Sequence, residues 1–159
     1  MESKSDIIKL TPEDWLLVLL MTNDSKPIIG KVMIDKEVFL LVKELLTDPN
    51  LEEFFDFFPY KLGPYSTELF KLLEHMENEG LINIEKSVKG EEVYSITKEG
   101  EKCIQNSLGD KDIPVLKKIE NMKKFFHQRG YNSLLRYVYE KYPEYIISSE
   151  IRGKVLDNG

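Results

Sequence analysis

The segment from residue 63 to residue 100 constrains the fold more than any other part of this 159-residue chain. It begins with a Gly-Pro turn and with Ser66, which can cap a helix. Apolar residues then recur at helical spacing: Leu69, Leu72, Leu73 and Met76. Two stretches of roughly alternating polarity, 81–86 and 93–96, follow on either side of a glycine-containing turn, and Thr97 can cap another helix. The segment therefore predicts a helix, a β-hairpin and the start of a second helix.

A second periodic signal lies upstream of this segment. Residues 27–31 lead into a predicted helix, which ends near residues 48–50. Its apolar stripe has helical spacing: Val38, Leu41, Val42 and Leu45. We expect its charged residues to lie mostly on the opposite, solvent-facing side: Asp35, Lys36 and Glu37.

The remaining helices suggest how the chain is divided. Thr11 and Pro12 begin a first helix, in which we expect Trp15 to anchor the core. Helical periodicity returns downstream at 114–128 and 132–142, beyond a break at 107–110. We predict a flexible arm of residues 1–10, a domain of residues 11–107 and a C-terminal helical extension of residues 110–159, which either packs on the domain or dimerises it.

Composition and motifs limit the classes of function. The chain has no run of 18 apolar residues, and its first residues lack the apolar region of a signal peptide, so we expect a cytoplasmic protein. Cys103 is the single cysteine and is expected to be a buried thiol. No metal-ligand spacing, paired-acid motif or phosphate-binding loop is present, and the two histidines, His75 and His127, lie on different helices. We therefore expect no catalytic activity, no metal and no cofactor.

One phrase resembles a known structural family. The sequence from Tyr94 to Gly100, YSITKEG, follows the predicted helix and hairpin and is similar to the wing and following helix of bacterial and archaeal winged-helix regulators. The resemblance covers roughly residues 60–105. It implies a mainly α fold with a small β-hairpin (α+β). Residues 11–107 would form a winged helix-turn-helix domain, and the C-terminal helical extension would follow it.

A longer resemblance is to the YwgA-type proteins and, more distantly, to Panacea (SocA-like) antitoxin domains. It rests on Ile29-Gly30-Lys31, on the stretch from Tyr60 to Leu69, and on the stretch from Tyr137 to Glu144. These groups carry no enzymatic motif. The resemblance implies a winged-helix-like module with a regulatory or protein-binding role.

The winged-helix resemblance also implies where DNA would bind. Winged helices place the third helix in the major groove and the hairpin tip along the backbone. The candidates here are Lys61, Ser66, Thr67, Lys71 and His75 for the helix, and Lys86, Lys89 and Gly90 for the wing. Carboxylates stand among them, so a mixed-charge solvated surface is an equal alternative. The long aromatic segment before this helix also departs from the short turn of an ordinary helix-turn-helix.

Charge is distributed unevenly along the chain. The net charge is −6, but residues 1–110 carry −10 and residues 111–136 carry +5. The basic segment forms a second candidate anion site: Lys117, Lys118, Lys123 and Lys124. It can equally neutralise the acidic part of its own chain or of a second subunit.

The aromatic segment is an alternative candidate site. Its rings either close the core or form a partner-binding patch: Phe54, Phe55, Phe57, Phe58 and Tyr60. The sequence thus leaves two functions open. The first is a DNA-binding transcriptional regulator that acts as a homodimer on double-stranded DNA. The second is a protein–protein interaction module, antitoxin-like or adaptor-like, that binds no DNA.

Overall fold

The computed structural model describes residues 9–147, and within them the chain is mainly helical with small antiparallel sheets. Its seven α-helices are α1 (Pro12–Ser25), α2 (Lys31–Leu40), α3 (Pro49–Phe55), α4 (Thr67–Asn78), α5 (Lys98–Gln105), α6 (Ile113–Arg129) and α7 (Tyr131–Lys141). A π-helical turn, Leu41–Leu46, prolongs α2, and 3-10 turns occupy Asp110–Asp112 and Pro143–Tyr145. The predicted α+β class is confirmed.

Most of the predicted arm, residues 1–10, lies outside the described residues, as do residues 148–159 at the end of the predicted extension. Within the described range no helix combines the length and apolarity that crossing a membrane requires.

Five short strands form two sheets in this part of the chain: β1 (Ile28–Ile29), β2 (Phe58–Tyr60), β3 (Gly63–Tyr65), β4 (Ile82–Lys86) and β5 (Glu92–Ile96). β4 and β5 are the predicted hairpin, with Ile84 opposite Tyr94. β1 pairs with the other edge of β5, giving the order β1-β5-β4. Residues 27–31 lead into α2 as predicted, but the strand that two of them form was not predicted.

The aromatic segment before α4 folds into a short helix and a hairpin. Asp48 caps α3 by accepting a hydrogen bond from the Asn50 N–H (2.9 Å), and a proline occupies the first helical turn. β2 and β3 then pair antiparallel, with Phe58 opposite Tyr65. This aromatic segment therefore lies in the chain between α2, with its π-helical turn, and α4.

The C-terminal helices close the core. α6 packs against α1, and α7 packs against α2. Their buried apolar residues join those of α2 in a second cluster: Phe39, Leu40, Phe126, Leu134, Leu135, Val138 and Tyr139. The apolar stripes of both helices are thus covered within the chain. Trp15 packs against the main core as expected, but Cys103 is exposed on α5, so its predicted burial is wrong.

Three charged residues of α2 are buried, contrary to the prediction. Asp35, Lys36 and Glu37 are each at most 2% exposed. Lys36 Nζ lies 2.6 Å from Asp35 Oδ2 and donates a hydrogen bond to the Pro64 carbonyl (2.7 Å). Asp35 Oδ1 accepts a hydrogen bond from the Ser66 N–H (3.2 Å). β3 and the start of α4 cover Asp35 and Lys36, whereas Glu37 is buried on the side of Lys123 in α6.

We expect Lys36→Met to destabilise the protein strongly, because it leaves the buried Asp35 carboxylate without its cation. Breaking a buried pair from one side costs about 3–5 kcal/mol. Lys43→Met is the matched control, since Lys43 pairs with Glu52 at the surface (3.2 Å) and exposed pairs contribute about 0–1 kcal/mol. Urea unfolding measures both variants, and equal losses in the two would contradict the assignment.

We expect Gly100→Ala to destabilise the fold through a steric clash. A Cβ at this position would lie inside the van der Waals radius of the Leu81 carbonyl oxygen and 2.8 Å from Ile96 Cγ1. Overpacking of this kind costs about 1–3 kcal/mol, and backbone can move less than a side chain. Gly109→Ala is the control, since a Cβ there meets nothing within 4 Å. Thermal unfolding should show a lower midpoint for Gly100→Ala alone.

Candidate functional site

The helix residues predicted to contact DNA separate into buried and exposed ones. Ser66 is fully buried: its hydroxyl donates to the Phe55 carbonyl and accepts from the Leu69 N–H (3.0 Å) as the N-cap of α4. It is therefore not available to DNA, which corrects its assignment as a surface contact. Thr67, Lys71 and His75 are exposed along α4.

The cations of α4 and its approach have partners within the chain. Lys71 Nζ lies 3.6 Å from Glu68 Oε1, and His75 Nε2 lies 3.2 Å from Glu79 Oε1. Lys61 is exposed and places its Nζ 5.8 Å from the centroid of the Tyr60 ring. The outward face of α4 is thus neutralised or acidic rather than basic.

The predicted wing residues lie at the hairpin tip between β4 and β5. Lys86, Lys89 and Gly90 are all exposed there. Gly90 has a φ of +84°, and its N–H donates to the Ser87 carbonyl (2.9 Å), which closes the turn. Three carboxylates belong to the same hairpin: Glu85, Glu91 and Glu92. The tip therefore offers two lysines against three glutamates.

A groove of about 320 Å³ runs between α4 and the β4–β5 hairpin. Its apolar floor includes Phe70 and Tyr94. Four glutamates line it against Lys31 and Lys86: Glu74, Glu77, Glu85 and Glu92. The Tyr94 hydroxyl donates to Glu92 Oε2 (2.9 Å), and burial raises the pKa of this tyrosine well above its ordinary value. The groove is acidic where a DNA-binding winged helix would have to be basic. We call it the acidic groove.

A chain of aromatic rings adjoins the acidic groove. The Phe58, Tyr60 and Tyr65 rings contact one another across β2 and β3, with centroids 5.2–6.0 Å apart. Tyr65 stacks on Phe70 of α4 (5.4 Å), and Phe70 also lines the groove. We call these four residues the aromatic surface.

The predicted aromatic candidates therefore divide between surface and core. Phe58 and Tyr60 are 37% and 43% exposed, and Phe54 is 39% exposed on α3. Phe55 is buried at 1%, and Phe57 packs partly buried against Phe39 (5.1 Å). Phe55 is thus a core residue and no partner contact, because α3 turns it inward. Tyr65 and Phe70 were not predicted, since neither lies in the aromatic run.

The basic helix differs from the prediction at one position. Lys117, Lys118 and Lys124 are exposed on α6, but Lys123 is only 3% exposed. Its Nζ donates to the carbonyls of Leu20 (3.1 Å) and Thr22 (2.7 Å), where α1 departs from helical geometry. Lys123 is therefore no member of a surface patch. Its place between Ile119 and Phe126 on the apolar stripe is the signal that could have shown this.

A second, larger cleft lies where α6 and α7 meet the start of α2. It has a volume of about 680 Å³ and reaches from the β4–β5 turn to the buried Glu37 and Lys123. Burial raises the pKa of Glu37 to about 8, although Lys123 opposes the rise, and burial lowers the pKa of Lys123 to about 8. Oε1 of Glu37 has no hydrogen-bond partner among residues 9–147. Sequence patterns predicted neither this cleft nor its carboxyl group.

One set of side chains in the described range has the composition of a metal site. Ligand atoms of Glu13, His75 and Glu79 lie within 4.8 Å of one another. The two carboxyl groups interact, and burial together with the Glu79 carboxyl raises the pKa of Glu13. His75 and Glu79 contact each other at an exposed surface (Nε2 to Oε1, 3.2 Å), where such groups of side chains are common without a metal.

No protein-family model matches the chain, and no curated protein is similar to it. The resemblance to winged-helix regulators, YwgA-type proteins and Panacea domains therefore stays a prediction, and the function has to be argued from the sites described above.

We expect the buried Glu37 to make stability depend on pH. Its folded-state pKa is about 8 and its ordinary value is 4.5, so the folded state binds more protons than the unfolded state between these values. Its contribution therefore becomes less favourable as pH rises through this window. Glu37→Gln should gain stability relative to the wild type from pH 5 to pH 8, by about 3–4 kcal/mol.

Urea unfolding at several pH values measures this difference. Asp35, whose pKa burial raises to about 6, titrates in both proteins and cancels. Glu99→Gln, on the exposed side of α5, is the control and should follow the wild type. Parallel curves for Glu37→Gln and the wild type would show that Glu37 titrates normally.

Proposed function

We propose that residues 11–107 form a winged-helix-type module with an insertion. The order α1-β1-α2-α4-β4-β5 and the strand order β1-β5-β4 support this interpretation. In this arrangement α4 takes the position of the third helix, and β4 and β5 form the wing. The insertion comprises α3 and the β2–β3 hairpin, and it carries most of the aromatic surface.

We propose further that this module binds a protein partner through the acidic groove and the aromatic surface. The observation that carries the proposal is the contact between the two: Phe70 belongs to both. Solvent-exposed aromatic rings are enriched at protein interfaces, where they supply anchoring contacts. Acidic groups beside them favour a partner with lysine or arginine side chains, which can also stack on the rings.

The partner's chemistry follows from charge complementarity. Glu74, Glu77 and Glu85 face the groove and would repel phosphates, but they attract a basic protein segment. Lys31 Nζ already lies 5.1 Å from the Phe70 ring centroid, which shows that this ring can accept a cation. We therefore expect a segment that carries both basic and apolar side chains.

DNA binding is the second candidate function. The winged-helix arrangement favours it, and so does the exposure of seven predicted contacts: Lys61, Thr67, Lys71, His75, Lys86, Lys89 and Gly90. The glutamates of α4 and the hairpin oppose it. Homodimerisation also stays a prediction. In one form of dimer, the exposed lysines of α6 would contact acidic side chains of a second copy.

The test compares two labelled probes by fluorescence anisotropy on the full chain. One is a synthetic peptide of alternating arginine and leucine, and the other is a random-sequence DNA duplex. We expect the peptide to bind and the duplex not to bind at low salt. The double variant Glu74→Lys, Glu85→Lys should weaken peptide binding about tenfold or more, because like charges then face each other. The double variant Glu99→Lys, Glu144→Lys, at two exposed positions outside the groove lining, is the charge-matched control.

A second pair of variants tests the aromatic surface. Tyr60→Ala should weaken peptide binding about tenfold, as for a buried interface anchor. Phe54→Ala removes a ring of similar exposure that does not belong to the aromatic surface, and it should have little effect on peptide binding.

The opposite results would replace this proposal with the DNA-binding one. In that case the duplex binds, and its binding weakens steeply with salt and on Lys71→Glu or Lys89→Glu. The peptide either does not bind, or binds equally well after charge reversal in the groove. Measuring the mass of the chain in solution with each probe decides whether a dimer is the binding form.

A further inference from the structure

The large cleft contains two buried polar side chains that form no hydrogen bond with each other in the described part of the chain. Glu37 is 2% exposed, and its Oε1 accepts no hydrogen bond within the described residues. Lys123 is 3% exposed and uses two of its three N–H donors on the carbonyls of Leu20 and Thr22. No ion pair within the 4.0 Å limit joins the two groups in this part of the chain. A buried carboxyl without a partner is costly, and such groups mark sites that a ligand completes.

The walls around these groups are largely apolar. Ile29, Val32 and Met33 come from β1 and the first turn of α2, while Phe126 and Tyr131 come from α6 and α7. Ile29 is 46% exposed and Tyr131 is 52% exposed, although both are large apolar side chains. The volume of about 680 Å³ lies in the range of small-molecule pockets, about 300–1,000 Å³. The cleft therefore combines an apolar body with a few convergent polar groups at its inner end.

The polar groups specify what a ligand must offer. The free N–H of Lys123 requires an acceptor, and Glu37 requires a hydrogen-bonding group beside it. The edge of a heterocyclic base carries a donor and an acceptor side by side, and its flat ring suits walls that include Phe126 and Tyr131. We propose that the cleft binds a small uncharged heterocycle, a nucleobase or nucleoside, whose polar edge bridges Glu37 and Lys123.

The mouth of the cleft argues against an anionic ligand. Lys31, Lys86 and His127 lie there, but so do Glu91 and Glu92. A Cβ at Gly30, the N-cap of α2, would lie 3.8 Å from Glu91 Oε2, so a carboxylate already lies close to the positive end of this helix. A phosphate at the start of α2 would lie close to the Glu91 carboxylate. The nucleoside is therefore the expected form, not the nucleotide.

Isothermal titration of the full chain tests the proposal with adenosine, guanosine, cytidine and uridine, and with their 5′-monophosphates. We expect saturable binding of at least one nucleoside with one site per chain, and weaker binding of its monophosphate. Glu37→Leu removes both polar atoms of the side chain at similar volume, and should weaken this binding about tenfold or more.

A matched pair of surface variants keeps the test decisive if Glu37→Leu does not fold. Ile29→Arg places a long charged side chain at the mouth of the cleft and should abolish binding. Ile113→Arg makes the same change at a residue of equal exposure (45%) on α6 that does not line the cleft, and should leave binding unchanged.

Three results would overturn the proposal. One is the absence of binding for all four nucleosides up to about 5 mM, which corresponds to about −3 kcal/mol. Another is binding that persists in Ile29→Arg, and the third is tighter binding of the monophosphates than of the nucleosides. None of these results depends on the peptide-binding experiment, because the probes and the variants differ.

Discussion

The buried pair of Asp35 and Lys36 holds together the part of the structure on which the proposed functions depend. Lys36 reaches the Pro64 carbonyl and Asp35 reaches the Ser66 N–H, so α2 is joined to both β3 and the start of α4. The Ser66 hydroxyl extends the network to the Phe55 carbonyl at the end of α3. Because buried polar groups need their partners, the insertion cannot shift on α2 without breaking the hydrogen bonds that Lys36 and Asp35 make to Pro64 and Ser66.

This network explains why the aromatic hairpin and the acidic groove form one surface. It fixes the position of β3, and β3 carries Tyr65 onto Phe70 of α4. The groove wall and the ring surface are therefore set by the same few hydrogen bonds. A binding surface built on an anchored hairpin loses less conformational entropy on association than one built on a mobile loop.

Sequence patterns predicted those features of the fold that depend on residues close together in the chain. The caps at Ser66 and Thr97 and the hairpin of residues 82–96 follow from residue types a few positions apart. The burial of residues 35–37 did not follow, since charged residues are rarely buried without partners and the partners lie far along the chain: Pro64 is 28 positions from Lys36. The large cleft combines residues near positions 30, 90 and 125, which no local pattern brings together. Most of the candidate lysines are exposed, but Lys123 and Phe55 are buried, and the carboxylates that face the candidates across the groove could not be placed from sequence.

The two proposed sites share one wall, and this limits how they could influence each other. Lys31, Lys86 and Glu92 line both the acidic groove and the large cleft. A ligand couples two sites only if it favours one arrangement of a group that both sites contact. Lys31 is such a group, because it lies over the Phe70 ring on the groove side. A ligand that draws Lys31 into the cleft would uncover this ring and leave the groove more acidic. The same ligand would then strengthen the binding of a basic partner, and this coupling needs no movement of the backbone.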